Sequence, residues 1–147
     1  MSLEGIFSAC STLVMAGWLL LVFLPRWKWA ASLICGVIIP LALGVAYLVL
    51  IALYFRGAEG GFGSLADVGT MFRNPGMLLA GWIHYLAFDL FIGSWEVRDA
   101  QRLGIHHLLV IPCLFLTFML GPIGLLAYFV LRVAIKRKVF IVENEAA

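Results

Sequence analysis

The amino-acid sequence predicts an all-α polytopic membrane protein, a four-transmembrane-helix bundle with a short interfacial helix between helices 2 and 3. Two observations carry this. Of 147 residues, 64% are hydrophobic and 12% charged, against about 25% charged in a soluble domain, and mean hydropathy is +1.07. The apolar residues also gather into four runs, 6–24, 30–55, 75–99 and 106–135, each longer than the roughly 18 residues that a hydrocarbon core demands. The chain is expected to form a single domain over 1–147. A net charge of +2 gives no field that would recruit nucleic acid.

Helix 1, residues 6–24, is expected to be a retained span rather than a secretion signal. Glu4 precedes it without any Lys or Arg, and no small-x-small cleavage site follows. The run Pro25-Arg26-Trp27-Lys28-Trp29 then combines a helix breaker with alternating Trp and basic residues, as at a headgroup boundary, and predicts a tight hairpin. In helix 2, Gly36, Pro40 and Gly44 recur every four residues on one face, where a neighbouring helix or a flat ligand can approach closely, and Pro40 is expected to kink the segment.

The glycine-rich stretch 57–63 reads as a flexible link. Ser64 is placed to cap a short helix with Asp67 as acidic partner, and Leu65, Val68, Met71 and Phe72 fall on one side of it, predicting an amphipathic helix at the interface. Asn74-Pro75 supplies an N-cap and a first-turn proline for helix 3. Helix 4 begins at His106-His107 and is read as one element to Ile135, interrupted at Gly121-Pro122-Ile123-Gly124. At 1.5 Å per residue it would extend about 45 Å and protrude from the bilayer.

With four spans, both termini and the second loop share a side. That side would hold Arg56, Arg73, Arg132, Lys136, Arg137 and Lys138 against Arg26, Lys28, Arg98 and Arg102 opposite. The positive-inside tendency therefore predicts cytoplasmic or stromal termini. Cys10, Cys35 and Cys113 all lie within apolar runs, where a thiol behaves as a small hydrophobe, and no zinc or disulfide spacing appears.

Helix 3 carries the chemistry. An ionisable side chain at bilayer depth costs roughly 2.5 kcal/mol or more, so it persists where it faces a protein interior or a wet cavity. At about 100° per residue Tyr85, Asp89, Ile92, Glu96 and Asp99 form one stripe, while His84, Phe88, Phe91, Trp95 and Arg98 form the adjoining face. A tight antiparallel hairpin would place Asp99 beside His106, and Asp89 near Thr117 and Cys113. His106 or His107 can then pair with Asp99 or Glu96. Burial disfavours a charged carboxyl, which suits Asp89 to an acid's role, and two carboxyls in unlike surroundings are what acid and base roles require. The competing reading of Glu96, Arg98, Asp99 and Arg102 is a solvated, ion-paired loop. His106 and His107 point about 100° apart and do not chelate together, so no metal site is expected.

The run Gly81-Trp82-Ile83-His84-Tyr85-Leu86-Ala87-Phe88-Asp89-Leu90-Phe91-Ile92-Gly93-Ser94-Trp95, with Asn74-Pro75, Asp99, Gly104-Ile105, Pro112, Gly121-Pro122 and Gly124, resembles the abscisic-acid-deficient-4-like family of small membrane proteins. Plant members are associated with making neoxanthin from violaxanthin, and the absence of an Arg- and Ser-rich leader here predicts a bacterial or cyanobacterial type. The resemblance implies a carotenoid or other isoprenoid substrate. Opening an epoxide end group to an allenic alcohol needs a proton delivered to oxygen, cationic character shielded, and a proton removed from the neighbouring chain. That isomerisation is redox-neutral and calls for no cofactor. Asp89 would be the acid and His84 the base or relay, with Glu96, Asp99 and His106 at the mouth. Trp82, Tyr85, Phe88, Phe91 and Trp95 would bind substrate through ring faces.

Three readings follow: a carotenoid-modifying isomerase, a non-catalytic carotenoid-binding or assembly subunit, and, ranked last, a proton or ion pathway. Membrane lipid and an association into homo-oligomers are the other expected partners.

Overall fold

The structure, a computed structural model, describes residues 2–141, which form six helices and no strands. Helix α1 (Leu3–Phe23) is capped by Ser2, whose hydroxyl accepts from Gly5 N at 3.1 Å. Helix α2 covers Ala30–Gly57 as π-helical turns (Ala30–Ile38), an α-helical body (Ile39–Tyr54) and a closing 3-10 turn (Phe55–Gly57). The wide turns lie just ahead of Pro40, whose ring would otherwise strike the carbonyl four residues back. The helix therefore meets the expected kink with a change of pitch.

The predicted caps of the next two helices are present. Ser64 Oγ accepts from Asp67 N at 3.1 Å at the start of α3 (Leu65–Met71). Asn74 Oδ1 accepts from Gly76 N at 2.9 Å and from Met77 N at 3.3 Å at the start of α4 (Pro75–Arg102). Of the apolar residues expected on one side of α3, Met71 is buried but Leu65 is 89% exposed.

Helices α1, α2 and α4 are each long and apolar enough to cross a membrane. They pack as a three-helix core in which α4 buries Leu79, Ile83, Leu86, Leu90 and Val97 against Val14, Trp18 and Leu21 of α1 and Cys35, Ile39 and Leu43 of α2. Gly93 makes the closest approach to α1, because a Cβ there would lie 2.6 Å from the Trp18 ring. The outer surface is apolar as well: Leu41, Val45, Leu48 and Leu53 of α2, Phe115 of α5 and Leu126 and Val130 of α6 are 62% to 68% exposed. An element hydrophobic all round is suited to lipid rather than water.

The last apolar run departs from its expectation. It is not one long helix but two, α5 (His107–Leu120) and α6 (Pro122–Lys136), and the chain reverses between them. Gly121 takes φ +49° and ψ −99°, a backbone that L side chains rarely adopt. Gly124 then meets Thr117 so closely that a Cβ on it would overlap the threonine backbone nitrogen and hydroxyl. Residues seven apart in a straight helix stand about 10 Å apart along the axis, so this contact requires a hairpin. At roughly 21 Å each, α5 and α6 are shorter than a hydrocarbon core.

The reversal redistributes charge. Tyr54 lies over Gly76, placing the end of α2 beside the start of α4. At the other end Gln101 bonds to the Pro25 carbonyl, His107 lies 3.0 Å from the Val22 carbonyl, and Lys136 approaches Gly104. The start of α1 and the end of α6 are therefore at opposite ends of the bundle, against the expectation that both termini share one. Arg26, Lys28, Arg98, Arg102, Arg132, Lys136, Arg137 and Lys138 gather at the α6 end, eight of the ten Lys and Arg, leaving Arg56 and Arg73 at the other.

Gly124→Ala should destabilise the fold by about 1–3 kcal/mol through overpacking, whereas Gly44→Ala, whose Cβ meets nothing within 4 Å, should be neutral or slightly stabilising. Thermal denaturation of the two variants in one detergent checks this.

Candidate functional site

The polar stripe of α4 faces the α5–α6 hairpin. Nearest the charged end is Asp99, 4% exposed, beside Arg132, which is fully buried. Arg132 Nε donates to Asp99 Oδ2 at 2.8 Å, the Tyr128 hydroxyl donates to the same oxygen at 2.7 Å, and Arg102 Nη2 donates to Oδ1 at 2.6 Å. The remaining edge of the Arg132 guanidinium donates to the carbonyls of Lys138 at 2.6 Å and Phe140 at 2.9 Å, folding the chain after α6 back over the pair. Satisfying both ions in this way is what a buried pair requires, since an unpaired ion would cost several kcal/mol.

One turn deeper, Glu96 is fully buried. Its Oε1 accepts from Thr117 Oγ1 at 2.9 Å, and its Oε2 is buried without a partner. Two turns deeper still, Asp89 lies half-buried under the hairpin turn, where a Cβ on Gly121 would stand 3.0 Å from Asp89 Oδ1. The Asp89 Oδ2 atom is also buried without a partner. Tyr85 lies against this carboxyl and donates its hydroxyl to the Phe118 carbonyl at 3.1 Å. The two carboxyl groups are near enough for their charges to interact. An acceptor left without a protein partner is open to water or a ligand, and two such oxygens share this stripe.

The other candidate residues are distributed differently from their expectation. His84 is exposed and does not join Asp89, because five residues turn it about 140° around the helix. Its ring lies tilted against Phe88 at 4.6 Å and against Tyr47 at 6.0 Å. With Phe62, Phe72 and Gly81 it lines a separate cavity of about 250 Å³ between α2 and α4. His106 is an exposed N-cap residue without a side-chain capping bond, and His107 points to Val22, so neither pairs with Asp99 or Glu96. Thr117 pairs with Glu96 rather than lying at Asp89, since the hairpin sits further along α4 than a simple antiparallel register predicts.

Among the aromatic candidates, Trp82 and Tyr85 lie tilted against each other at 5.5 Å on the Asp89 side, and Trp82 Nε1 donates to Ser11 Oγ at 3.4 Å. Phe88 and Phe91 face outward, 57% and 42% exposed. Trp95 packs edge-on against Tyr128 at 5.4 Å and beside Phe129 at 5.6 Å. Among the described residues no three His, Cys, Asp or Glu side chains converge as a metal site.

Sequence reasoning missed Tyr128 and Arg132, and it set Thr117 beside Asp89 where the structure pairs it with Glu96. Their signal was the spacing Gly124, Tyr128, Arg132, every fourth residue, which puts a glycine, a hydroxyl and a cation on one face of α6.

The family model described as ABA DEFICIENT 4-like matches residues 5–128. The chain belongs to this family. The family match takes in Asp89, Glu96, Asp99, Thr117 and Tyr128 and ends before Arg132. No curated protein and no solved structure matches the chain.

Arg132→Gln should destabilise by about 3–5 kcal/mol, because it strands a buried carboxylate. Adding Asp99→Asn to it should cost less than the sum of the two single changes. A double-mutant cycle by denaturant titration in detergent gives the coupling.

Proposed function

We propose that the protein is a multi-pass membrane protein that modifies a carotenoid, as a redox-neutral isomerase opening an epoxide end group of the violaxanthin type to the allenic alcohol of the neoxanthin type. Membership of the ABA DEFICIENT 4-like family supports the substrate class. The observation that carries the chemistry is the pair of unpartnered buried oxygens, Asp89 Oδ2 and Glu96 Oε2, on one stripe under the hairpin. One carboxyl can give a proton and the other take one.

In this reading Asp89 enters protonated and delivers its proton to the epoxide oxygen as the carbon–oxygen bond breaks. Cationic character develops at the ring carbon, next to the ring faces of Trp82 and Tyr85. The Glu96 carboxylate removes the proton from the adjacent chain carbon, and that electron pair closes the allene. One proton enters and one leaves, so the product is an isomer, and a proton returned from Glu96 to Asp89 resets the site. Glu96 thus takes the role of base, for which His84 was the candidate as base or relay. Thr117 and the hairpin turn orient the two carboxyls. With eight of ten Lys and Arg at the α6 end, the positive-inside tendency puts that end in the cytoplasm or stroma and the start of α1 on the far side.

A second reading, a non-catalytic carotenoid-binding or assembly subunit, is favoured by an apolar groove of about 490 Å³ between α1 and α2, lined by Ile6, Cys10, Ala46, Val49 and Leu53 and remote from the acids.

Expressed at equal level in a violaxanthin-producing host, Asp89→Asn and Glu96→Gln should each lower conversion at least about 10²-fold, while His84→Ala keeps most of it. Pigment chromatography decides. Unchanged conversion in Asp89→Asn overturns the isomerase, and stoichiometric pigment retention without conversion by the native chain selects the second reading.

A further inference from the structure

We infer that the cavity between α2 and α4 binds the ring of a neutral membrane lipid through an oxygen the ring carries, carbonyl or hydroxyl, with His84 as its hydrogen-bonding partner. The cavity is about 250 Å³ and is walled by Tyr47, Phe62, Met71, Phe72 and Met77 beside His84. It lies on a face of α4 turned away from Asp89, so it does not rest on the proposed reaction.

The first observation is His84 itself. It stands nine positions after Pro75, about 14 Å along α4. A helix of 28 residues measures about 42 Å and overhangs a hydrocarbon core of about 30 Å by roughly 6 Å at each end, which puts His84 inside the core. There the side chain is exposed, its ring lies against Phe88 and Tyr47, and no described residue bonds to either nitrogen. A polar side chain at bilayer depth persists where it faces a protein partner or a cavity, and here the protein supplies the cavity alone. The Tyr47 hydroxyl, on the α2 wall, is likewise without a hydrogen bond among the described residues.

The second observation is what the walls lack. Among the described residues no Asp, Glu, Lys or Arg lines the cavity, so a charged headgroup would find nothing to compensate it. Aromatic rings and thioethers suit a flat apolar body, and a few polar groups in an apolar concavity are what orient a small ligand. An imidazole can give or accept a hydrogen bond, which fits a ring carbonyl and a ring hydroxyl alike. The volume is below the roughly 300 Å³ of a whole-ligand site. It takes one ring and leaves the attached chain in the lipid.

The third is how the wall is built. Gly60 takes φ +91°, a Cβ on it would overlap the Asp67 carbonyl, and Gly61 N donates to that carbonyl at 3.3 Å. The glycine-rich stretch is thereby laid against α3, and it carries Phe62, which stacks on Phe55 at 6.3 Å. Across the cavity Phe72 packs on Gly81, where a Cβ would stand 3.0 Å from its ring. Glycines at 60 and 81 thus set both rings in the wall.

The test offers the full chain in mild detergent two matched pairs, zeaxanthin with β-carotene and decylubiquinone with decylbenzene. Retention above protein-free micelles is counted by extraction and chromatography. Only the first member of each pair carries ring oxygen. The native chain should prefer that member of at least one pair about three- to tenfold, and the pair concerned tells a hydroxylated ring from a quinone. His84→Leu should abolish the preference, and His84→Gln, which restores a donor and an acceptor, should keep part of it. The position is exposed, so neither change touches the core. No preference in either pair overturns the inference, and so does a preference that survives His84→Leu. A preference lost only in Asp89→Asn would place the ring at the acids and equally overturn it. A chain that converts no epoxide yet shows the His84-dependent preference refutes the proposed reaction and leaves this site standing.

Discussion

The polar face of this bundle depends on the buried ion pair between Asp99 and Arg132. Such a pair adds little net stability, because desolvating two ions offsets most of their attraction. What it does supply is register. Arg132 lies 11 positions after Gly121, and Asp99 lies 10 positions after Asp89, roughly 16 and 15 Å of helix. Pinning the far end of α6 to Asp99 therefore sets the turn at Gly121 over Asp89, and with it Thr117 against Glu96. A hairpin displaced along α4 would lose the only deeply buried guanidinium–carboxylate contact among the described residues. The tail carbonyls of Lys138 and Phe140 complete the arginine's bonds, so the segment after α6 belongs to the same device.

A chain reversal within an apolar bundle has its own polar cost, which this sequence meets locally. Irregular backbone at membrane depth is tolerated where it is buried in protein or lines a cavity. Gly121 N donates to the Thr117 carbonyl at 2.9 Å, and the Gly121 carbonyl accepts from Gly124 N at 3.0 Å and Leu125 N at 3.3 Å. Pro122, at the first position of α6, brings no N–H to satisfy. The turn is thus self-contained, and the carboxyl beneath it is left with an oxygen unclaimed by the backbone. The same reversal carries α6 back to the end of the bundle that holds the basic side chains, so one break in the helix sets both the setting of Asp89 and the gathering of eight of the ten Lys and Arg at one end.

Much of this was legible from local chemistry. Ser64 and Asn74 announce their helices because a cap is written in adjacent residues, and the α4 stripe follows from helical periodicity alone. The hairpin was not, because Gly121-Pro122 breaks a helix in the same way whether the chain then continues or doubles back. The difference lies in long-range partners: Gly124 fits against Thr117, and Arg132 needs Asp99. Arg132 counted only among the cations of one side, since no carboxylate is near it in sequence. His84 belongs to the face adjoining the Asp89 stripe by periodicity, and the helix turns it outward against Phe88, away from the acid it was expected to serve.

The setting of Asp89 and Glu96 depends on one reversal of the chain, at Gly121. Its most direct measurement places a small reporter at each terminus of the full chain in sealed membrane vesicles and determines which side each occupies. The two reporters should occupy opposite sides, the C-terminal one on the cytoplasmic face. Both reporters on one side would mean that residues 106–135 cross as a single span, contradicting the hairpin and the setting it gives to Asp89 and Glu96.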